Sequence, residues 1–443
     1  MPNPAKLIAL LLTSSAAAVA DGSDPGGVLV AQAAGTVSGE PKPPPKPEVG
    51  GLAGWNGEHF FLQTPDGYFT LQPYAYVQTD FRIYSGDGVP PNTFTIRRAR
   101  LGFQGKLDKY YEFAFLGDFV DTTSALLRDA FVNVRFVPEV QFTVGQFVEP
   151  FGQEAASTGV TNIDFVERGL TSMLYPAASG SFRSPGAMVH GDILKGTLSY
   201  WVGAFNGKGP LAANTTSEPE VIGRLRVYPF RLAGDSPLQG LAFGGAYGHG
   251  RTRGLSNEMS FSGFVPDRPF ALVPQTLING QVDRFNLEAT LLFGPAGIRA
   301  EYDQLRQFRR GLDVGFTNLP RVRGRAFNID ATFLLTGERR PENGQPKATS
   351  PLFGRDGSFG IGAWEVKARY SYLDVDAPGD PKNGFPDIAN SVDELSAGLN
   401  WYPTNLVRYA LDFNLYRVKD AATVGGAVPQ NFLVVLQRVQ FKF

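Results

Sequence analysis

The chain has 443 residues, and its 41 Lys and Arg residues against 42 Asp and Glu residues give a formal net charge of −1. A near-neutral chain has no general attraction to nucleic acid, so we expect no nucleic-acid partner. The absence of cysteine excludes a disulfide scaffold, a thiol nucleophile and a cysteine metal site. Arg outnumbers Lys by 29 to 12, which favours carboxylate or phosphate binding, although a GC-rich genome would produce the same bias.

The first 50 residues predict an exported chain. Lys6 precedes an apolar stretch, and a small-x-small site precedes Asp21, so residues 1–20 are typical of a cleavable signal peptide. Residues 21–50 contain a run of prolines and cannot build a core, which predicts a Pro-, Ala- and Gly-rich periplasmic linker. After the signal, no run reaches the roughly 18 apolar residues that a membrane helix needs. We expect one folded domain over residues 51–443.

From about Leu71 onward, apolar and polar side chains alternate. In residues 94–107, Leu101 and Phe103 share one face of a strand while Arg98 and Arg100 share the other. Similar two-faced stretches recur at 111–118, 129–136, 224–227, 285–293, 364–372, 407–415 and 433–443. This pattern predicts about sixteen long strands, the number expected of a large outer-membrane barrel.

Turn-rich segments of two lengths separate these strands. Short ones lie at 137–139 and 293–297, and long ones at 207–219, 251–280, 337–357 and 374–391. Short turns at one end and long loops at the other are typical of outer-membrane barrels. We therefore predict an all-β fold, a transmembrane antiparallel β-barrel of about 16 strands in contact with the lipid of a bacterial outer membrane. A soluble β-sandwich or propeller is the alternative, but its strands average only about 5 to 6 residues.

Six segments carry a further pattern in a fixed order: FTIRRARLGF at 94–103, VGQFVEPFGQE at 144–154, FVER at 165–168, LTGER at 335–339, GAWEVKARYS at 362–371 and LNWYP at 399–403. Together they resemble the phosphate-selective porins O and P over residues 60–443. The resemblance implies a 16-stranded barrel, a homotrimer and a channel that favours anions. It matches Arg97 and Arg98 to the family's arginine pair near the constriction, and 144–154 to the signature that precedes its inward-folded loop.

The charged face of each strand should line a water-filled lumen, because a wide barrel is polar inside. Parity directs Arg98 inward, and Arg97 toward the lipid unless the strand is bulged there. Two alternative interpretations remain open. The first makes Arg97 an interfacial anchor or a subunit contact. The second makes Arg98 and Arg100 members of salt bridges that brace the wall. The predicted anion path consists of Arg97, Arg98, Arg100, Arg135, Arg224, Arg226, Lys367 and Arg369. The other charges predicted in the lumen are Lys106, Arg299, Arg408, Arg438, Lys442, Glu112, Asp118, Asp129, Glu288, Glu301, Asp303, Asp330, Glu365 and Asp412.

At two places the sequence departs from the family pattern in residues that would contact the solute. The first barrel strand has Tyr74 near the place of a constriction arginine in phosphate-selective members, and its first arginine is Arg82. The inward loop has no Lys or Arg over residues 151–166, although it has Glu154 and Asp164. A small-anion channel, for phosphate or a similar ion, is therefore the first interpretation. A general or cation-tolerant diffusion porin is the second, and a soluble or surface β-protein that binds polysaccharide is the third.

The sequence predicts no catalytic, cofactor or metal site. The histidines His59, His190 and His249 stand in no spacing typical of zinc binding or a catalytic triad. His249 with an aspartate at the pore rim is the only candidate for hydrolysis, and we expect His249→Ala to have no effect. Acidic loop residues such as Asp374, Asp376 and Asp380 could bind surface calcium, but a solvated loop is the preferred interpretation.

Overall fold

The computed structural model describes residues 52–55, 59–86, 89–120, 127–174, 182–234, 236–255, 259–260, 271–273, 277–354, 357–379, 388–419 and 430–443. The predicted signal peptide and linker lie outside these residues, as does Asp380. No helix in this part of the chain is long and apolar enough to span a membrane.

A short hairpin precedes the barrel and consists of β1 (Ala53–Trp55) and β2 (Phe60–Gln63). The barrel strands are β3 (Phe69–Ser85), β4 (Thr93–Leu107), β5 (Tyr111–Asp118), β6 (Leu127–Val137), β7 (Val140–Val148), β8 (Arg183–Ile193), β9 (Leu198–Phe205), β10 (Glu220–Val227), β11 (Gly240–Leu255), β14 (Leu277–Phe293), β15 (Ala296–Arg309), β16 (Leu319–Leu334), β17 (Ala363–Ala377), β18 (Ile388–Thr404), β19 (Val407–Lys419) and β20 (Asn431–Lys442). A separate small ribbon pairs β12 (Met259–Ser260) with β13 (Ala271–Val273).

The sixteen barrel strands form one closed antiparallel sheet. Closure occurs where β20 pairs with β3, from Leu433 opposite Ser85 to Lys442 opposite Tyr76. Two backbone hydrogen bonds of 3.0 Å between Phe443 and Ala75 extend this seam. The predicted fold class is therefore confirmed, and the sandwich and propeller alternatives are wrong.

Each strand presents a charged face to the lumen and an apolar face to the outside. In β17, Lys367 and Arg369 are buried inside the barrel, while the neighbouring Val366 and Tyr370 are exposed outward. This orientation is the stable one, because a charged side chain on the lipid face costs roughly 2–4 kcal/mol at the bilayer midplane. All of the predicted lumenal carboxylates are buried on inward faces, as the alternation of side chains predicts.

The two ends of the barrel differ as expected, with one exception. Turns such as 138–139, 294–295 and 405–406 lie at one end, and most of the long connections lie at the other. The long segment 335–362 joins β16 to β17 at the short-turn end, because Phe333 at the end of β16 pairs with Ala296 at the start of β15. Its predicted place among the long loops is wrong, since that prediction used segment length and not the up-and-down order of strands.

The connection between β7 and β8 folds into the barrel. It contains a helical turn, Gln153–Ala156, and a 3-10 turn, Leu170–Leu174. Gly152 adopts a φ of 75° immediately before the first turn, a conformation that favours glycine. Beyond it, Val166 and Leu170 pack against inward apolar residues of the wall, including Leu373. The connection that follows the segment 144–154 is therefore the inward loop, as the family resemblance implies.

Candidate functional site in the barrel lumen

The described part of the inward loop, residues 149–174 and 182, is held to the wall largely through its own backbone. Arg408 donates to the carbonyl oxygens of Ile163 and Asp164, both at 2.6 Å. In the opposite sense, the backbone amides of Gln153 and Glu154 donate to the carboxylate of Glu301 at 3.0 and 2.9 Å. These bonds satisfy backbone groups that would otherwise be buried without a partner. Some predicted pore charges thus fix the loop in the lumen.

Four arginines converge on one carboxylate of this loop, Glu167. Arg97 and Arg438 approach its Oε1 at 2.9 and 2.8 Å. Arg82 reaches the same oxygen at 3.4 Å, and Arg98 reaches Oε2 at 3.6 Å. We call Arg82, Arg97, Arg98 and Arg438 the four-arginine cluster.

A second carboxylate, Asp80, completes the cluster. It accepts a hydrogen bond from Arg82 at 2.7 Å and two from Arg438 at 2.6 and 2.9 Å. Burial opposes ionisation of Glu167, but the four surrounding guanidinium groups outweigh it and hold the pKa of this carboxyl well below its ordinary value. Glu167 is therefore an anion at neutral pH, held where several donors meet.

Arg97 enters the lumen because β4 is bulged at this residue. Gln78 of β3 pairs with Arg98, but the next residue, Thr79, pairs with Ile96, which leaves Arg97 as the extra residue. A bulge redirects a side chain and changes the parity of the residues beyond it. For a regular strand, the alternation of side chains predicts that Arg97 faces the lipid, and this prediction is wrong. Its side chain is 25% exposed and contacts Glu167.

The other cations of the predicted anion path lie on inward faces, and each has an acidic neighbour. Arg100 donates to Asp118 at 2.7 Å, the wall salt bridge that the sequence left open. Arg135 approaches Glu112 at 3.7 Å and remains 35% exposed. On the other side of the lumen, Arg224 and Arg226 share Glu288, at 2.7 and 3.8 Å.

Lys367 and Arg369 connect the wall to the loop. Lys367 pairs with Asp412 at 2.5 Å and donates to the Asp164 carbonyl oxygen at 2.8 Å. Arg369 pairs with Asp330 at 2.7 Å and with the loop residue Glu154 at 2.8 Å. The structure thus brings all the predicted path residues into the lumen, most of them as members of ion pairs.

Sequence reasoning missed several cations that contact the loop, and three of them are Arg82, Arg168 and Arg340. Arg82 belongs to the first barrel strand and joins the four-arginine cluster. It lies eight residues after Tyr74 and therefore on the same face of β3, so the alternation of side chains could have placed it in the lumen. Arg168 follows Glu167 and donates to the carbonyl oxygens of Glu154 and Thr158 at 3.1 and 3.0 Å. The loop is therefore not free of cations, because Arg168 lies just beyond the stretch 151–166 that has no Lys or Arg.

The third missed cation, Arg340, comes from the opposite end of the barrel. It lies in the segment 335–362 and hydrogen-bonds both Asp164 of the inward loop and Glu365 of β17. Gln345 of the same segment donates to the Thr161 carbonyl oxygen at 2.6 Å. Two inward segments, one from each end of the barrel, therefore meet in the lumen. No sequence pattern signalled this contact.

A small cavity lies between the inward loop and strands β15 and β16. Its charged lining is mainly acidic and consists of Glu154, Asp164, Glu301, Asp330 and one cation, Arg299. Burial, which Arg369 only partly offsets, raises the pKa of the loop residue Glu154. The lumen thus has an arginine-rich side near β3, β4 and β20 and a more acidic side near β15 and β16.

The histidine candidate does not lie in the lumen. His249 approaches Asp283 at 2.7 Å, but both side chains lie on the outward face of β11 and β14. Among the described residues, no group of three or more His, Cys, Asp or Glu side chains is placed to hold a metal ion. Asp374 pairs with Arg325 at 3.1 Å, which agrees with a surface role.

Several solved structures share this fold. OmpT of Vibrio cholerae has a TM-score of 0.54 at 12% identity, covering 86% of this chain and 100% of that one. An anion-selective porin from Comamonas acidovorans has a TM-score of 0.54 at 13% identity, covering 85% and 100%. The outer membrane channel DcaP of Acinetobacter baumannii has a TM-score of 0.52 at 11% identity, covering 86% and 99%. The fold is that of an outer-membrane porin.

The family assignment comes from the sequence. The profile of the family "Phosphate-selective porin O and P" matches residues 72–443, and the chain belongs to this family. A search of curated proteins finds no match. Family and fold together identify this protein as an outer-membrane channel.

Proposed function

We propose that this channel passes small anions, phosphate or a similar oxyanion, down their gradient. The observation that supports the proposal is the four-arginine cluster around Glu167. Four guanidinium groups face two carboxylates, Asp80 and Glu167, which leaves a formal excess of two positive charges (4 − 2). Fixed positive charge offsets the cost of partly removing an anion's water shell.

The proposed path passes Arg97, Arg98, Arg100, Arg135, Arg224, Arg226, Lys367 and Arg369. Ion pairing of these side chains agrees with passive transport, because permeation needs sites that bind weakly and in series. A carboxylate beside each cation lowers its affinity for a passing anion and shortens the anion's stay. Arginine suits such a path, since its planar fork can exchange one oxyanion for another.

The test is ion selectivity in planar bilayers. In a KCl gradient, we expect a reversal potential on the chloride side and block of the chloride current by added phosphate. Arg98→Ala should reduce the anion preference, whereas Arg417→Ala, which removes an exposed outward arginine of β19, should leave it unchanged. A reversal potential on the potassium side would overturn the proposal, and equal behaviour of the two variants would overturn the assignment of Arg98.

A cation-tolerant general porin is the second candidate. It is supported by the acidic lining of the cavity beside the loop, with Glu154 and Asp330 among its residues, and by the carboxylates that accompany the predicted path cations. Such a channel would show a reversal potential near zero or on the potassium side, and phosphate would not block it. The same bilayer measurement therefore separates the two functions.

We further propose that residues 1–20 are a signal peptide, that residues 21–50 are a periplasmic linker and that the mature protein is a homotrimer. OmpT of Vibrio cholerae, a structural neighbour, is described in a trimer form, which supports the last of these. Amino-terminal sequencing of protein from outer membranes should begin at Asp21. Native mass spectrometry of the detergent-extracted protein should give three times the chain mass; a monomer would exclude the trimer.

A further inference from the structure

We propose that an outward-facing patch of arginines on β15, β16 and their connecting loop binds the phosphate groups of an outer-leaflet glycolipid of the lipid A type. The patch consists of Arg306, Arg310, Arg321, Arg323 and Arg325, which we call the outer arginine patch. This proposal rests on the outer-membrane location and is independent of the solute that the pore carries.

The patch lies on the outside of the barrel, at the end that carries most of the long loops. Arg306 and Arg323 are exposed, and they are on the face of their strands opposite to the lumenal residues Asp303 and Asp330. Phe333 marks the other end of the exposed apolar face of β16. Ten residues separate Phe333 from Arg323, which corresponds to about 25 Å along the membrane normal for a strand tilted by about 40°.

An aromatic row identifies the membrane boundary just below the patch. Tyr302, Phe327 and Tyr372 are consecutive cross-strand partners on β15, β16 and β17, and their side chains share the outward face with Arg325. Aromatic girdles of this kind lie at the interface between hydrocarbon and headgroups. Arg325 is the next outward-facing residue of β16 after Phe327 in the direction of the long loops, and the other arginines lie farther in that direction. The patch therefore lies at headgroup level.

Carboxylates balance the charges of the patch only in part, and one of them, Asp283, lies opposite Arg306 in the pairing of β14 with β15. Arg306 and Arg323 are directly opposite each other in the pairing of β15 with β16, and like charges in this position are destabilising. Arg325 has a carboxylate partner, Asp374, at 3.1 Å. In the described part of the chain, the other four arginines form no ion pair within 4.0 Å, although Asp376 faces Arg323 in the register of β16 and β17.

Neighbouring side chains hold the guanidinium groups in place. Arg310 and Arg321 lie 5.5 and 6.0 Å from the centroid of the Phe308 ring. Arg306 donates to Gln304 at 3.1 Å, and Arg310 donates to Gln281 at 3.0 Å. An anion placed between these groups would relieve their repulsion and accept charge-assisted hydrogen bonds.

Phosphate on a lipid is the occupant that fits this position. The patch faces the bilayer and not the pore, so a solute in transit does not pass it. A phosphate monoester carries up to two negative charges and three acceptor oxygens, which match several arginine forks at once. A glycolipid with two phosphates could contact both the Arg306–Arg323 pair and the arginines beside Phe308.

The test uses the intact protein in detergent and native mass spectrometry with defined lipids. The probes are bisphosphorylated lipid A, its fully dephosphorylated form and phosphatidylglycerol. Arg306→Gln/Arg323→Gln removes the facing pair. Arg417→Gln/Lys419→Gln is the matched control, because it removes two exposed outward cations of β19, also at the end with most of the long loops.

We expect the wild type to bind bisphosphorylated lipid A best, the patch variant to bind it about tenfold more weakly, as the loss of charge-assisted hydrogen bonds implies, and the control to bind it like the wild type. Heat-modifiable gel mobility and unchanged single-channel conductance would show that both variants fold. Equal binding of the dephosphorylated lipid, equal binding of phosphatidylglycerol, or a patch variant that binds like the control would overturn the proposal.

Discussion

Glu167 is the residue on which the electrostatics of the arginine-rich side depend. Its carboxylate takes the position that a small oxyanion would take among Arg97, Arg98 and the other two arginines of the cluster. A carboxylate attached to the loop is present at a very high effective concentration, so it competes with any anion from solution. At this single position, the chain itself would reduce the affinity of the four-arginine cluster for the anion that we propose as its solute.

Glu167→Gln should therefore strengthen anion binding. The substitution removes one of the two carboxylates facing four guanidinium groups, so we expect a larger anion preference and phosphate block at about tenfold lower concentration. Bilayer recordings with a phosphate titration measure both. Glu218→Gln is the control, since Glu218 is 62% exposed and pairs with Arg251 outside the lumen. Unchanged phosphate block would contradict a role for Glu167 as competitor.

At the scale of elements, the inward loop depends on wall carboxylates that accept its backbone amides. Glu301 accepts from both Gln153 and Glu154, and an amide in its place would offer only one acceptor oxygen. Glu301→Gln should weaken loop attachment by about 1–3 kcal/mol and increase open-channel current noise. Glu112→Gln removes a lumenal carboxylate whose partners are all on the wall and should leave the noise unchanged. Unchanged open-channel current noise in the Glu301→Gln variant would show that other contacts fix the loop.

Arg340 is the buried cation that joins the segment 335–362 to the inward loop and to β17. Arg340→Ala would leave Asp164 and Glu365 without this partner, and breaking a buried pair in this way costs about 3–5 kcal/mol. We expect the segment to leave the lumen and the single-channel conductance to rise. Arg339→Ala is the control, because the adjacent Arg339 is exposed. Limited proteolysis from the short-turn side should cut the Arg340→Ala variant faster; equal conductance and equal cleavage in both variants would contradict this role.

The sequence predicts strand elements well and their exceptions poorly. Alternation placed Arg98, Arg100 and Arg369 correctly, because a period of two leaves only two faces for a side chain. It failed at Arg97, since a bulge depends on the pairing partner and has no pattern within one strand. It also could not predict the contact between Arg340 and Asp164, whose residues are 176 positions apart and meet only through the closed barrel.

For the whole molecule, anion preference should depend on ionic strength. The selectivity that we propose comes from fixed charges at the lumen surface, and their reach falls from about 10 Å at 0.1 M salt to about 3 Å at 1 M. The chloride preference should therefore decrease as the mean KCl concentration rises, with the steepest decrease for Glu167→Gln. Reversal potentials at a constant concentration ratio measure this. A preference that does not change with salt would indicate selection by size or by specific binding.

The barrel seam has a consequence for assembly. The carboxy-terminal residues pair with β3 only from Ala75 onward, whereas β3 begins at Phe69, so the first residues of β3 extend beyond the seam. β2 pairs with this overhang, with Leu62 opposite Leu71 and Gln63 opposite Thr70, and Phe60 contacts Phe443. An uncovered overhang would be a template for a strand of another chain. The amino-terminal hairpin thus covers the strand edge that the closed barrel would otherwise leave open beside its seam, which removes a site where a second copy could add a strand.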